Sequence, residues 1–149
     1  MIDIENKVID TVYKAVIAAF PPAQYPNLSF YSEPIDAPTS FPCVVIAEED
    51  NYTYRQTQDG ELNEHNAVVM YSVNVFSNKQ DGHKAEAKKI LATVDTAMQS
   101  MLFTRLMTSP IPNVDRTIYR IAARYTALVG RPVKDGNNNV SYQMNRTRG

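Results

Sequence analysis

One uninterrupted run limits the possible folds more than any other feature of the chain. From Ala67 to Phe76 the sequence reads AVVMYSVNVF, β-branched and aromatic, with no proline, glycine or charge. A run of that composition belongs in the middle of a sheet. A short polar break, SNKQDGH, follows it. Then KAEAKKILATVDTAMQSML switches to a helical period, with Ala87, Ile90, Leu91, Val94, Ala97, Met98 and Met101 on one stripe. A buried strand leading into an amphipathic helix predicts a sheet covered on one face by helices.

The N-terminal segment repeats the helical pattern. Ile4, Val8, Ile9, Val12, Tyr13, Val16, Ile17 and Phe20 form a stripe, Asp3 stands where an N-cap belongs, and Glu5 sits in the first turn. Pro21-Pro22 ends this helix because neither residue can continue it. The helices are thus expected over about 3–20 and about 84–103, with Asp81 as candidate cap of the second. Leu28–Tyr31 reads as a short strand, and 32–42, with Pro34, Pro38 and Pro42, as an extended connection. Cys43–Ala47 is a second apolar strand that stops at Glu48-Glu49-Asp50. Those acids read as a solvated rim; the alternative, an acidic metal site, lacks any EF-hand-like spacing.

Residues 51–66, NYTYRQTQDGELNEHN, are the least globular part of the chain. Tyr52 and Tyr54 alternate with Thr53 and Arg55, and Asp59-Gly60 is a turn signal, so a long polar β-hairpin arm is expected. Residues 107–113 cannot be helical past Ser109, because Pro110 and Pro112 forbid it. The longest alternation runs from Thr117 to Val129, with Tyr119, Ile121, Ala123, Tyr125, Ala127 and Val129 on one face and Arg120 and Arg124 on the other. Gly130–Asn139 reads as a loop, Val140–Met144 as a returning strand, and 145–149 as a flexible end.

At 149 residues the chain is expected to be one domain, with enough residues for a real core. No apolar run reaches the ~20 residues that span a bilayer, and MIDIENK lacks the basic start of a secretory signal. A lone cysteine, Cys43, excludes an intramolecular disulfide and suits a reducing compartment. Its V-V-I context reads as a small buried hydrophobe, with a reactive thiol as the competing reading. Charge is uneven along the chain. Residues 1–115 hold 8 basic against 15 acidic side chains, a net of −7, whereas 116–149 hold 7 basic against Asp135 alone, a net of +6. Such asymmetry marks a nucleic-acid surface or copies that meet basic end to acidic flank, unless folding averages it out.

Signatures of chemistry are absent from the sequence. There is no H-E-x-x-H, no Cys/His ligand pair, no G-x-S-x-G, and no glycine-rich phosphate loop before a helix. Glu64-His65 is an acid/base pair without an apolar shell to tune it, and Asp59, Glu61 and Glu64 are carboxylates that a polar hairpin carries anyway. No catalytic residue, metal ligand or cofactor-binding residue is therefore expected, and the chain is read as no enzyme. Arg116, Arg120 and Arg124 are the most suggestive set. Spaced by four along one strand they share a face, roughly 13 Å from one to the next. They face either phosphate or the acidic flank of a neighbouring subunit, against the plainer reading of a solvated strand face.

Three phrases in fixed order carry a resemblance: NEHNAVVMYSVNVFSN, KAEAKKILATVDTAMQSMLFTR and SPIPNVDRTIYRIAARYTALV. Over roughly Glu64–Val129, most specifically Tyr71–Asn78 and Pro110–Tyr125, the chain resembles the tail-completion proteins of long-tailed bacteriophages, also called tail terminators or minor capsid proteins. The likeness is weaker over Tyr31–Asn51 and does not extend to Arg131–Gly149. It implies one α+β domain, a mainly antiparallel sheet with two helices on one face. It also implies a structural virion protein that forms a homo-oligomeric ring, commonly of six copies, at the head-proximal end of the tail tube. Such a ring ends tube polymerisation and provides the surface for head-tail joining. The implied partners are other copies, the tail tube protein and a neck or head-completion protein, with non-specific contact to passing DNA, no membrane and no cofactor. The implied location is the virion tail or neck, assembled in the host cytoplasm. The candidate subunit or tube contacts are Tyr52, Tyr54, Arg55, Glu61, Glu48, Glu49, Arg116, Arg120 and Arg124. The alternatives are a head-closure or neck adaptor and, in a different class, a DNA-binding module using the arginine-bearing strand face.

Overall fold

The computed structural model describes residues 1–53, 66–134 and 140–145, with the backbone alone at 53, 131–134, 140–143 and 145. The run that dominates the sequence becomes a twelve-residue strand, β3 (Asn66–Ser77), counted after β1 (Ser29–Tyr31) and β2 (Cys43–Thr53). It is paired on both sides. β2 lies antiparallel to it from Cys43↔Phe76 to Thr53↔Ala67, and β5 (Tyr119–Lys134) from Ser77↔Tyr119 to Asn66↔Gly130. With β4 (Thr104–Ile111) and β6 (Val140–Asn145) the strand order is β1-β2-β3-β5-β4, and β6 also pairs with β5. All these pairings are antiparallel except β1 with β2.

The period-two alternation decides which residues meet the helices. Ala67, Val69, Tyr71, Val73 and Val75 of β3 and Ile121, Ala123, Tyr125, Ala127 and Val129 of β5 point to one face. There they join Val8, Val12 and Val16 of α1 (Glu5–Ala19) and Ile90, Val94 and Met98 of α2 (His83–Ser100) in one core. The fold is α+β, as the sequence predicts, with both helices on this face. Fully burying side chains of this size contributes roughly 1.5–3 kcal/mol each, so this face carries most of the stability. The entire α2 stripe expected from the sequence is buried. The α1 stripe narrows to Ile4, Val8, Val12, Val16 and Phe20; Tyr13 stays 45% exposed and meets Phe30 edge-on at 5.3 Å.

Local chemistry moves several boundaries away from the sequence expectation. Asp3 Oδ1 accepts the Glu5 N–H at 3.0 Å, but the residue in the N-cap position is Ile4. Asp81 does not cap α2. Gly82 takes that position in the left-handed region, at φ 92°, and its carbonyl accepts the Glu86 N–H at 2.9 Å. α2 stops at Ser100, short of the expected end near 103, because Leu102 turns left-handed at φ 66°. The Phe103 N–H then reaches the Met98 carbonyl at 3.1 Å and the Leu102 N–H the Gln99 carbonyl at 2.9 Å, which closes the helix end and drops Phe103 into the core.

Three strand assignments also differ. Residues 104–111, which the prolines mark only as non-helical, form β4. Pro110 is tolerated because β4 lies at the edge of the sheet, where one side needs no donor. β2 does not stop at the acids but continues to Thr53 through a bulge between Glu48 and Asp50. β5 starts at Tyr119 instead of Thr117 and continues through Gly130 to Lys134, its second half paired with β6.

Candidate assembly surface

Among the described residues no helix lies over the other face of the sheet. Its residues are the alternate set: Val45, Ala47 and Glu49 of β2, Val68, Met70, Ser72, Asn74 and Phe76 of β3, and Arg120, Ala122, Arg124 and Thr126 of β5. Cys43, Val45 and Phe76 make a small second core there with Ile35, Phe41 and Ile118, so the proline-bearing connection 32–42 shelters one end of this face. The Cys43 thiol is buried and burial pushes its pKa up, which favours the hydrophobe over the reactive nucleophile. Farther along, Tyr52 (50% exposed) is in register with Val68, and Met107 of β4 with Arg124.

The sequence groups three arginines on one strand face; the fold separates them. Arg116 lies before β5, in a turn made by Asp115, whose Oδ1 accepts the Thr117 hydroxyl at 2.6 Å and the Thr117 N–H at 2.9 Å. Those two bonds hold the Asp115 carboxyl below its ordinary range. Arg120 and Arg124 do share the open face, in register with Phe76 and Ser72. Arg124 Nε is 3.3 Å from Glu49 Oε2, so its charge is matched across two strands that do not pair with each other. Arg120 Nε donates to Asn74 Oδ1 at 3.0 Å, and its guanidinium lies 5.1 Å above the Phe76 ring centre.

Glu48, one residue before Glu49, faces the helices. The Tyr71 hydroxyl donates to Glu48 Oε1 at 3.3 Å, and Asn51 Nδ2 lies 3.5 Å from that atom while donating to the Ile2 carbonyl at 2.7 Å. Burial, then the nearby carboxylates of Glu5 and Asp3, raises the Glu48 pKa. Period-two alternation sends these two successive acids to opposite faces, and the bulge between Glu48 and Asp50 then shifts the register so that Asp50 pairs with Met70, which no periodicity shows in advance. Tyr54, Arg55 and Glu61 lie outside the described residues, as do Asp59, Glu64 and His65. Thr53 and Ala67 are paired at the base of the arm expected over 51–66, and the strands of a hairpin reach that point.

Among the described residues no three of His, Cys, Asp and Glu come together as a metal-holding group, and no helix is long and apolar enough to cross a membrane. What this face offers instead is the exposed Tyr52, the part-exposed Met70, Ser72, Asn74 and Arg120 and the Arg124–Glu49 ion pair, beside buried Val45, Ala47, Phe76 and Ala122. It suits contact with another chain. Sequence reasoning named Arg120 but missed Asn74 and Phe76, which hold it. Both lie in the β3 run, and only the β3–β5 register brings them to Arg120.

No family model matches the chain, and a search of curated proteins finds no match. Among solved structures, a chain of the virion of native gene transfer agent (GTA) particle is similar. The two are 18% identical, with a TM-score of 0.57, and the likeness covers 83% of this chain and 94% of that one. At that identity the likeness is one of fold.

Proposed function

We propose that this chain is a structural virion protein that acts by assembly and carries out no reaction, and that it serves as a tail terminator. In this reading its 149 residues form a single domain. Copies form a ring, commonly of six, at the head-proximal end of a tail tube, stop the tube from growing, and present a surface to the neck or head-completion protein. The ring belongs to the virion and is put together in the host cytoplasm. The observation that carries the reading is a fold shared over nearly the full length of a chain from a virion particle. The ordered phrases between Glu64 and Val129 supply the finer role.

A ring needs two unlike flanks on each subunit, because its contacts are head-to-tail. The sheet supports that requirement: its edges are unlike, the three-residue β1 on one side and the bulged, proline-bearing β4 on the other. The contacts to copies and tube fall on the open face and its margins, at Tyr52, Glu49, Arg120 and Arg124, with Arg116 on the adjoining turn, and include Tyr54, Arg55 and Glu61, which the sequence assigns to the arm expected over 51–66. Glu48 commits its carboxylate to Tyr71 and Asn51. Deleting the gene tests the role. Tails of abnormal length that fail to join heads are expected; normal tails on infectious particles would overturn it.

A further inference from the structure

The arginines of the described residues are not equivalent. Arg105 Nη1 lies 3.2 Å from Asp95 and Arg124 Nε 3.3 Å from Glu49, so both have a carboxylate. Arg120 has none among the described residues. It is nevertheless held more firmly than a free surface arginine, by the Asn74 bond through Nε and by the Phe76 ring beneath the guanidinium. That leaves the terminal N–H groups of a fixed, planar fork without acceptors among the described residues. Arg120 also lines a cavity of about 70 Å³ with Pro34, Ile35, Ser72, Asn74 and Phe76. A side chain held by its inner nitrogen and stacked on a ring has already lost most of the freedom that binding would otherwise cost.

We propose that this notch is a carboxylate seat, which receives an aspartate or glutamate side chain of a protein partner. Three features favour a protein carboxylate over nucleic-acid phosphate. The cavity takes a single small group, with Pro34, Ile35 and Phe76 supplying apolar walls for the stem that carries it. Glu33 and Asp36 flank Pro34 and Ile35 in the connection, which disfavours a polyanion. The next arginine on the face, Arg124, is paired with Glu49, so free charge does not continue along β5 past Arg120. The acidic body of the chain, net −7 over 1–115, gives other copies the matching chemistry. That the carboxylate belongs to a protein of the assembly rests on the function proposed above; the seat itself does not.

The experiment is a ¹H–¹⁵N correlation titration of the full chain with N-acetyl-glutamate-N-methylamide, following the Arg120 Nε–Hε and Asn74 side-chain amide signals. The neutral glutamine analogue and inorganic phosphate serve as parallel probes. A saturable shift of both signals is expected with the glutamate derivative, at least ~10-fold weaker with the glutamine analogue, as a charge-assisted paired contact requires. Arg120→Gln should abolish it, Arg120→Lys should weaken it, and Arg124→Gln should leave it unchanged. Unchanged dispersion of the remaining signals shows each variant folded. No saturable shift, equal response to the glutamine analogue, or tighter saturation by phosphate would each overturn the proposal. The titration needs no ring, so its failure removes the seat while tail length in the deletion mutant still decides the role.

Discussion

The two faces of one sheet obey different rules. Under the helices, alternate positions of β3 and β5 are mostly apolar and buried, and among the described residues no buried side-chain polar atom lacks a partner. The Tyr125 hydroxyl donates to Asp95 Oδ1 at 2.8 Å, Gln99 Nε2 donates to Asp95 Oδ2 at 2.7 Å, and Arg105 closes the group from β4. The Ser77 hydroxyl donates to Glu86 Oε1 at 2.8 Å, pinning the start of α2 to the end of β3. On the open face the same two strands carry Met70, Ser72, Asn74, Arg120 and Arg124, and the ion pair of Arg124 with Glu49 of β2 is half in water. On the proposed function, stability lies with the covered face and recognition with the other. Substitutions on one should change folding, and on the other association.

The largest effect should come from the covered face. Ile90→Ala removes a fully buried side chain of α2 and should lower the free energy of unfolding by about 2–5 kcal/mol in chemical denaturation, whereas Met70→Ala on the open face should cost about 1 kcal/mol or less. Equal losses would break the division. The polar groups sharpen it further. Asp95→Ala strands the buried Tyr125 hydroxyl and should cost about 1–3 kcal/mol, while Glu49→Ala, which breaks only a half-exposed pair, should cost about 0–1 kcal/mol.

A smaller, pH-dependent effect follows from the tyrosines. Burial first, then the acceptor carboxylate, raises the pKa of Tyr71 (beside Glu48) and of Tyr125 (beside Asp95) well above the ordinary phenol range. A raised folded-state pKa gives stability that is fully present below the unfolded value, near pH ~10, and is lost as pH rises beyond it. Denaturation midpoints should thus fall steeply above about pH 10, and Tyr125→Phe should flatten that fall. An unchanged slope would show that the phenols ionise in place.

The covered face was legible in the sequence because periodicity fixes it: the α2 stripe, Ala67, Val69, Tyr71, Val73 and Val75 of the β3 run, and Ile121, Ala123, Tyr125, Ala127 and Val129 all end in the core, with Tyr119 packed against it. What stayed hidden depends on events without a period. The bulge that shifts the β2 register after Glu48, the left-handed Leu102 that ends α2, and the edge position that admits Pro110 each follow from tertiary placement. The arginine set shows both cases at once. Spacing put Arg120 and Arg124 on one face correctly, but the Asp115–Thr117 turn removed Arg116 from the strand. Register alone matched Arg124 with Glu49 and seated Arg120 between Asn74 and Phe76.

Assembly through the open face is tested most directly by placing single cysteines on the two faces, since Cys43 is buried and silent to labelling. Tyr52→Cys reports the open face and Thr96→Cys the solvent side of α2, and both positions are exposed in the isolated chain. Maleimide should label both in the free protein, and in purified particles Tyr52→Cys should become protected while Thr96→Cys continues to react. Protection confined to Thr96→Cys, or full labelling of Tyr52→Cys in particles, would contradict the account.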